Sequence, residues 1–346
     1  MSDSPPPSSY RAPWWLPGGN LQTLYAALTG HPVADWKRER WDTPDSDFIE
    51  VDRLPGRLGA PLVVLFHGLE GDSRSHYAGA LARELAQRGW GCAVSHFRGC
   101  SGEPNKLPRA YHSGDAEEVA WILRRLHGEL PPKAPLFAVG VSLGGNALLK
   151  WLGEDAQADR ILSAAAAVSA PMDLMAAGDA LGRGFNRVYT RVFLATMKKK
   201  GEEKLQRFPG LFDAAAMRRA RSLRDFDGIV TAPLHGFRDT DDYWTRASAK
   251  PVLRRIRVPT LLLNARNDPF LPAAALPEAN EVSESVRREF PREGGHAAFV
   301  SGSFPGNLSW LPRRVVAFFV EAMAREAAGS HGHANGIMPG TAARTS

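Results

Sequence analysis

Ser142 is the residue whose surroundings point most directly at covalent chemistry. It sits in Gly140-Val-Ser-Leu-Gly144, after the apolar run Pro135–Val139 and before Asn146-Ala-Leu-Leu-Lys-Trp-Leu152. The first flank reads as a buried strand, the second as a helix. A strand, a tight glycine turn, a serine and then a helix make a nucleophile elbow, which lifts the hydroxyl clear of the sheet. The pentapeptide alone carries little weight in a chain with 33 glycines, so the strand–helix setting makes the case. A serine hydroxyl is a poor nucleophile at neutral pH and needs a base. The base needs an acid to fix its tautomer, and the developing oxyanion needs donors.

Candidates for each role follow Ser142 in the chain. Asp268, in Leu261-Leu-Leu-Asn-Ala-Arg-Asn-Asp-Pro-Phe-Leu-Pro272, lies just past an apolar strand, where a site borne on the sheet would hold its acid. Asp239, Asp241 and Asp242 compete for that role, but they precede the strand. His296, in Glu293-Gly-Gly-His-Ala-Ala-Phe299, follows a short strand and is the expected base; Gly294 and Gly295 permit close backbone approach. The order Ser, Asp, His belongs to one serine hydrolase architecture and not to two others. The expected oxyanion donors are the backbone N–H groups of Leu143, directly after the nucleophile, and of Leu69 in His67-Gly-Leu-Glu-Gly71. His67 itself, before a glycine turn, reads as a loop-shaping residue. Arg98, in His96-Phe-Arg-Gly-Cys-Ser-Gly-Glu-Pro104, reads as a guanidinium tying loops together.

These residues need a sheet to carry them. Arg38–Thr43 and Phe48–Leu54 are predicted to open it as an antiparallel pair. Strands are predicted over Pro61–Phe66, Trp90–His96, Leu136–Val141, Ala164–Ser169, Val258–Asn264 and Val286–Phe290. Helices are predicted over Arg74–Arg88, Ala116–His127 and Pro312–Ala327. Near-continuous apolar strands alternating with helices indicate a mainly parallel sheet covered on both faces. The interval 172–250 breaks the alternation and reads as a helical insertion over the C-terminal edge of the sheet, where ligands bind in such folds. Its apolar residues Met172, Leu174, Phe185, Val188, Phe193, Leu194, Phe208 and Phe212 suggest an acyl pocket, or simply pack the insertion down. The domain is expected over 10–328. Residues 1–9, rich in Ser and Pro, and 329–346, poor in large apolar residues, are expected to be disordered.

Composition narrows the classes further. The chain has 346 residues, 44% apolar and 23% charged, enough for one sizeable core. Its 43 basic and 37 acidic residues give +6, too mild an excess to argue for a nucleic-acid partner. Two cysteines, Cys92 and Cys100, are too few for a disulfide framework and suit a cytoplasmic protein. The first residues lack the pattern of a signal peptide, and no apolar run approaches the ~20 residues that span a bilayer. Trp14-Trp-Leu16 is either an exposed apolar patch or a clip packed on the domain. The basic runs Lys198–Lys200 and Arg218–Arg221 read most simply as a solvated face, with an anionic lipid surface or acidic substrate as the sharper alternative. No Cys/His cluster has metal-ligand spacing, and no phosphate-cradling glycine motif is present, so neither a metal nor a cofactor is expected.

At this point the chain resembles the YheT-like α/β-hydrolases, a family that also includes the ABHD group of esterases and lipases. The resemblance runs from about Ala12 to Ala324. It is carried by Pro13–Thr23, His67–Gly71, His96–Gly102, Gly140–Asn146, Leu234–Tyr243, Asn264–Pro272 and Gly294–His296. It implies an α/β-hydrolase fold with a helical lid insertion. It also implies ester hydrolysis on short- or medium-chain acyl substrates by a charge relay of Ser142, Asp268 and His296. Two positions depart from the family pattern. Asn267 stands where relatives often carry a second acid, which sharpens the choice of Asp268, and Gly228 stands where they tend to carry another acid. The expectation is a serine carboxylic-ester hydrolase acting on a small or lipid-like acyl ester. Two rivals are an acyltransferase using the same acyl-enzyme and a non-catalytic ligand-binding protein of this fold. Peripheral membrane contact and oligomeric state stay open.

Overall fold

The structure is a computed structural model and describes residues 10–29 and 34–334. The expectations for residues 1–9 and for the tail beyond 334 therefore lie outside the described residues. Before the sheet stands a helix the patterning did not reveal, α1 (Gly19–Leu28). The sheet then opens with β1 (Lys37–Asp42) and β2 (Phe48–Leu54), antiparallel to each other. There follow β3 (Leu62–Phe66), α2 (His76–Gln87), β4 (Gly91–His96), α3 (Ala116–Glu129), β5 (Leu136–Val141), α4 (Leu143–Glu154) and β6 (Ala164–Val168). After a long helical interval come β7 (Thr260–Leu263), β8 (Val286–Glu289) and a closing helix.

The eight strands lie in the order β1-β2-β4-β3-β5-β6-β7-β8. β2 pairs with β4 antiparallel, and every pairing from β4 to β8 is parallel. Side chains alternate between faces, so Val64 and Phe66 enter one core with Leu148 and Trp151 of α4, while Val63 and Leu65 enter a second with Leu81 and Leu85 of α2. Burial on both faces explains why β3 to β6 read as unbroken apolar runs rather than alternating ones. This is the α/β-hydrolase architecture the motifs implied.

Between β6 and β7 the chain runs through α5 (Leu174–Leu181), α6 (Arg187–Arg207), α7 (Ala214–Arg219), α8 (Leu223–Phe226), a π-helical turn (Asp227–Thr231), α9 (Ala232–Leu234) and α10 (Thr240–Ala247). The 21-residue α6 crosses the C-terminal ends of the strands. Lys200 meets Glu70 in the loop after β3 at 2.9 Å, and Lys204 Nζ donates to the carbonyls of Leu107 and Arg109 at 3.1 Å. Arg207 reaches the carbonyl of Asn105. Lys198 donates to the carbonyls of Arg218 and Ala220, and Arg218 pairs with Glu202 at 2.7 Å. The basic runs are therefore largely latches between elements, not a freely solvated face. Backbone carbonyls at loop ends lack intrasegment partners and make ready acceptors for long cationic side chains.

The apolar residues of the interval divide as well. Met172 belongs to the main core, Leu174 and Leu194 pack helix on helix, and Phe185 and Val188 face outward. The Trp14-Trp-Leu16 segment also divides: Leu16 is buried, Trp15 lies edge-on to Tyr25 and Phe304, and Trp14 is exposed. The closing helix α11 spans Trp310–Ala334, past its expected end at Ala327. No helix among the described residues is long and apolar enough to cross a membrane.

Candidate active site

β5 ends at Val141 and α4 begins at Leu143, so Ser142 alone makes the turn, at φ 52° and ψ −122°. A positive φ is strained for a non-glycine residue and persists only where the surroundings hold it. Here the Ser142 N–H donates to the Val168 carbonyl at 2.9 Å, and the Gly144 N–H to the His67 carbonyl at 3.2 Å. The flanking glycines are required by contact. A Cβ on Gly140 would lie 2.5 Å from the Gly144 carbonyl oxygen, and one on Gly144 would lie 2.4 Å from that of Phe66. Gly68 faces the serine, and a Cβ there would sit 3.1 Å from the Ser142 Cβ.

Asp268 is buried past the end of β7, and its Oδ2 and Oδ1 lie 2.9 and 3.1 Å from His296 Nδ1. Its Oδ1 also accepts the Phe270 N–H at 2.8 Å. A proton on Nδ1 held by the carboxylate leaves Nε2 as the ring atom available for proton exchange. The Phe270 ring lies over the imidazole, with centroids 4.1 Å apart. Asp239, Asp241 and Asp242 stand elsewhere: Asp239 caps α10 by accepting the Asp242 N–H at 2.8 Å, Asp241 pairs with Arg224, and Asp242 with Arg246. The Ser142 turn and the histidine loop are both tied to the end of β6, where Val168 takes the Ser142 N–H and Ser169 Oγ takes the Ala297 N–H at 2.9 Å. Ser142 Oγ and His296 are not hydrogen-bonded to each other. In substrate-free sites that bond is commonly long and tightens on binding.

The loop after β3 is organised around one spare donor. Tyr77 Oη accepts the Gly68 N–H at 2.9 Å, Tyr111 Oη accepts the Glu70 N–H at 3.0 Å, and the Gly71 N–H goes to the Gly68 carbonyl at 2.9 Å. The Leu69 N–H between them has no acceptor among the described residues, and neither does that of Leu143 at the head of α4. His67 is fully buried, with Nδ1 facing the Gly68 carbonyl at 2.7 Å and Nε2 accepting the Phe97 N–H at 3.1 Å. Burial holds its pKa down to about 3, so the ring is neutral and shapes the loop. Arg98 ties its loop to α3 through Glu118 at 2.5 Å and to the turn between β1 and β2 through Asp45 at 2.8 Å and Asp47 at 3.3 Å.

Helix α1 supplies residues that were seen only as part of a motif without a role. Gln22 is fully buried, and its Oε1 accepts both the Gly294 N–H at 3.0 Å and Asn267 Nδ2 at 3.1 Å. Its Nε2 donates to the Leu16 carbonyl at 3.0 Å. Asn267 Oδ1 takes the Gly295 N–H at 3.0 Å, and Thr23 Oγ1 takes the His296 N–H at 2.9 Å. Three consecutive amides of the histidine loop are thus held by side chains from α1 and from the residue beside Asp268. A Cβ on Gly19 would lie 1.8 Å from the Asn267 carbonyl oxygen, so only glycine lets α1 approach this closely. A cavity of about 310 Å³ lies instead at the β8 edge, lined by residues including Tyr10, Arg287 and Trp310, and none of the residues above borders it.

Residues 61–303 match the family described as alpha/beta hydrolase fold. The chain is 39% identical over 304 residues to YheT of Escherichia coli (strain K12), a protein that carries an esterase name, covering 86% of this chain and 88% of that one. It is 30% identical over 334 residues to phospholipase ABHD3 of Mus musculus, covering 94% and 79%. Among solved structures, alpha/beta hydrolase GrgF from Penicillium sp. sh18 superposes with a TM-score of 0.57 at 15% identity, over 84% of this chain and 100% of that one, a likeness of fold.

Proposed function

Since the chain belongs to the alpha/beta hydrolase fold family and is a carboxylic ester hydrolase, we propose that Ser142, His296 and Asp268 form its charge relay and that it cleaves short- or medium-chain acyl esters. Ser142 Oγ attacks the acyl carbonyl carbon while His296 Nε2 takes the hydroxyl proton. Asp268 stabilises the imidazolium through Nδ1–H. The carbonyl electron pair moves onto oxygen, where the N–H groups of Leu69 and Leu143 receive the negative charge. Collapse breaks the ester C–O bond, and the alkoxide leaves with the proton from His296. Water, deprotonated by the same nitrogen, then releases the acid and restores Ser142.

The observation that carries this reading is the Asp268–His296 pair at 2.9 Å on loops that converge on a serine at φ 52°. Phe270 over the imidazole, with Tyr189 and Phe193 packed on Phe270, suits an apolar acyl chain better than a charged one. The two unpaired cysteines fit the cytoplasm, where we place the protein. A fluorophosphonate probe, with the adduct mapped by mass spectrometry, tests the assignment. Labelling at Ser142 that vanishes in Ser142→Ala, with kcat lower by on the order of 10⁴–10⁶, is expected. Unaltered turnover by Ser142→Ala would overturn it.

A further inference from the structure

Nine large apolar residues are exposed among the described residues, and seven of them lie on α1, on α6 or on the segments next to them and to Trp15. On α6 and the turn before it stand Phe185, Val188 and Val192, the last 62% exposed, spaced i, i+3, i+7 and so on one face. On α1 stand Leu21 and Leu28, one face again at i, i+7, with Trp14 just ahead of the helix at 91% exposure. Phe304 adjoins them through its contact with Trp15. The two helices touch where the Tyr189 hydroxyl lies 3.1 Å from Asn20 Oδ1. Only Leu58 and Val320 lie elsewhere.

The stripe itself carries charge of one sign, with acids only at its borders, where Asp179 lies 3.6 Å from Arg183 and Glu202 pairs with Arg218 at 2.7 Å. Residues 180–201 contain six Arg and Lys and no Asp or Glu, and α1 carries no charged side chain. Lys198 and Lys200 are spent on the latches, but Arg187, Arg191 and Lys199 pair with no acid among the described residues. Arg187 and Arg191 each directly precede an outward valine. An apolar stripe flanked by unpaired cations and free of anions is the composition of a helix lying in a lipid headgroup layer. The opposite side of the same two helices holds the candidate site: Tyr189 and Phe193 pack on Phe270, which covers His296, and α1 clamps the histidine loop.

We propose that the outer faces of α1 and of α6 as far as Lys199 form a docking surface for an anionic lipid–water interface, and that the enzyme takes its ester from that interface. This deepens the function proposed above and rests on it for the identity of the reaction, but the surface has its own readout. The full chain is floated with phosphatidylcholine vesicles containing one-third phosphatidylglycerol, and separately with pure phosphatidylcholine vesicles. Turnover of water-soluble p-nitrophenyl acetate is followed alongside. Wild type should bind the anionic vesicles. Arg187→Gln/Arg191→Gln/Lys199→Gln should bind them roughly 100-fold more weakly, at about fivefold per charge. Val188→Ser/Val192→Ser should lose binding as well, and both variants should keep soluble-ester turnover as evidence of folding. Ser142→Ala should bind vesicles as wild type does while losing turnover, so a failed relay assignment and a failed surface assignment read differently. Three results overturn the proposal: wild type that turns over the soluble ester yet floats with neither vesicle, equal binding to the neutral vesicles, or a concentration-dependent dimer abolished by Val188→Ser/Val192→Ser, which would make a second copy the occupant.

Discussion

Gln22 and Asn267 hold the loops of His296 and Asp268, the proposed base and acid, relative to each other. One buried amide oxygen of Gln22 serves a donor from each loop, so its removal strands Gly294 N–H and Asn267 Nδ2 together. Gln22→Ala is expected to lower kcat by about 10–100-fold with little change in KM, because a loosened base costs rate rather than binding. It should also lower stability by about 1–3 kcal/mol in urea titration, the cost of unsatisfied buried groups. An unchanged kcat would make α1 a bystander. Asn267→Asp separates charge from shape. The carboxylate can still accept the Gly295 N–H, but it turns an acceptor against Gln22 Oε1 and adds negative charge next to the Asp268–His296 pair. Added negative charge favours the imidazolium, so the acidic limb of kcat/KM against pH should move to higher pH, and a limb that stays in place would rule out that coupling.

Elements were legible wherever burial imposed a pattern. β3 to β6 announced themselves as short apolar runs because both faces of the sheet are covered, and Ser142, Asp268 and His296 could be placed because each follows a strand. α1 was not legible: it starts at Gly19, its N-cap Gly18 at φ 81° supplies no side-chain cap, and Gly-Asn-Leu-Gln-Thr-Leu carries no charge pattern. Its helical state comes from tertiary clamping, which patterning does not encode. The fate of α6 was hidden for the opposite reason. Lys198–Lys200 looks solvated until the loops that receive it are in place. That latch is testable at Lys200, whose loss leaves the nearly buried Glu70 carboxylate with only the Tyr111 hydroxyl. Lys200→Met should lower stability by about 1–3 kcal/mol and disturb turnover through the adjacent Leu69, measured as unfolding midpoint and kcat. A midpoint equal to wild type would mean that α6 is held by its remaining contacts.

Across the whole molecule, buried titratable groups pull the pH dependence of stability in opposite directions. His67 and His112 are held neutral by burial, with pKa values lowered from 6.5 to about 3. The unfolded chain takes up those protons first, so stability is lost as pH falls from about 6.5 toward 3. Asp227 works the other way. Its carboxyl accepts from Thr231 Oγ1 at 2.6 Å and Trp244 Nε1 at 2.8 Å, and removal from water pushes it up from 3.8 to about 6. Between about pH 4 and 6 the folded state binds the extra proton, so this group adds stability as pH falls through that window and weakens the fold above it. An amide fits the same pocket, since its oxygen can accept from Trp244 Nε1–H and its NH₂ can donate to the Thr231 hydroxyl. Asp227→Asn should therefore be more stable than wild type by about 2–3 kcal/mol near pH 8, with the gap closing as pH falls from about 6 to 4. The histidine contributions are common to both proteins and cancel in that difference. Guanidinium unfolding of the pair at the two ends of the window measures it. A variant less stable than wild type near pH 8 would show that the charged carboxylate is the form the Trp244 contact requires.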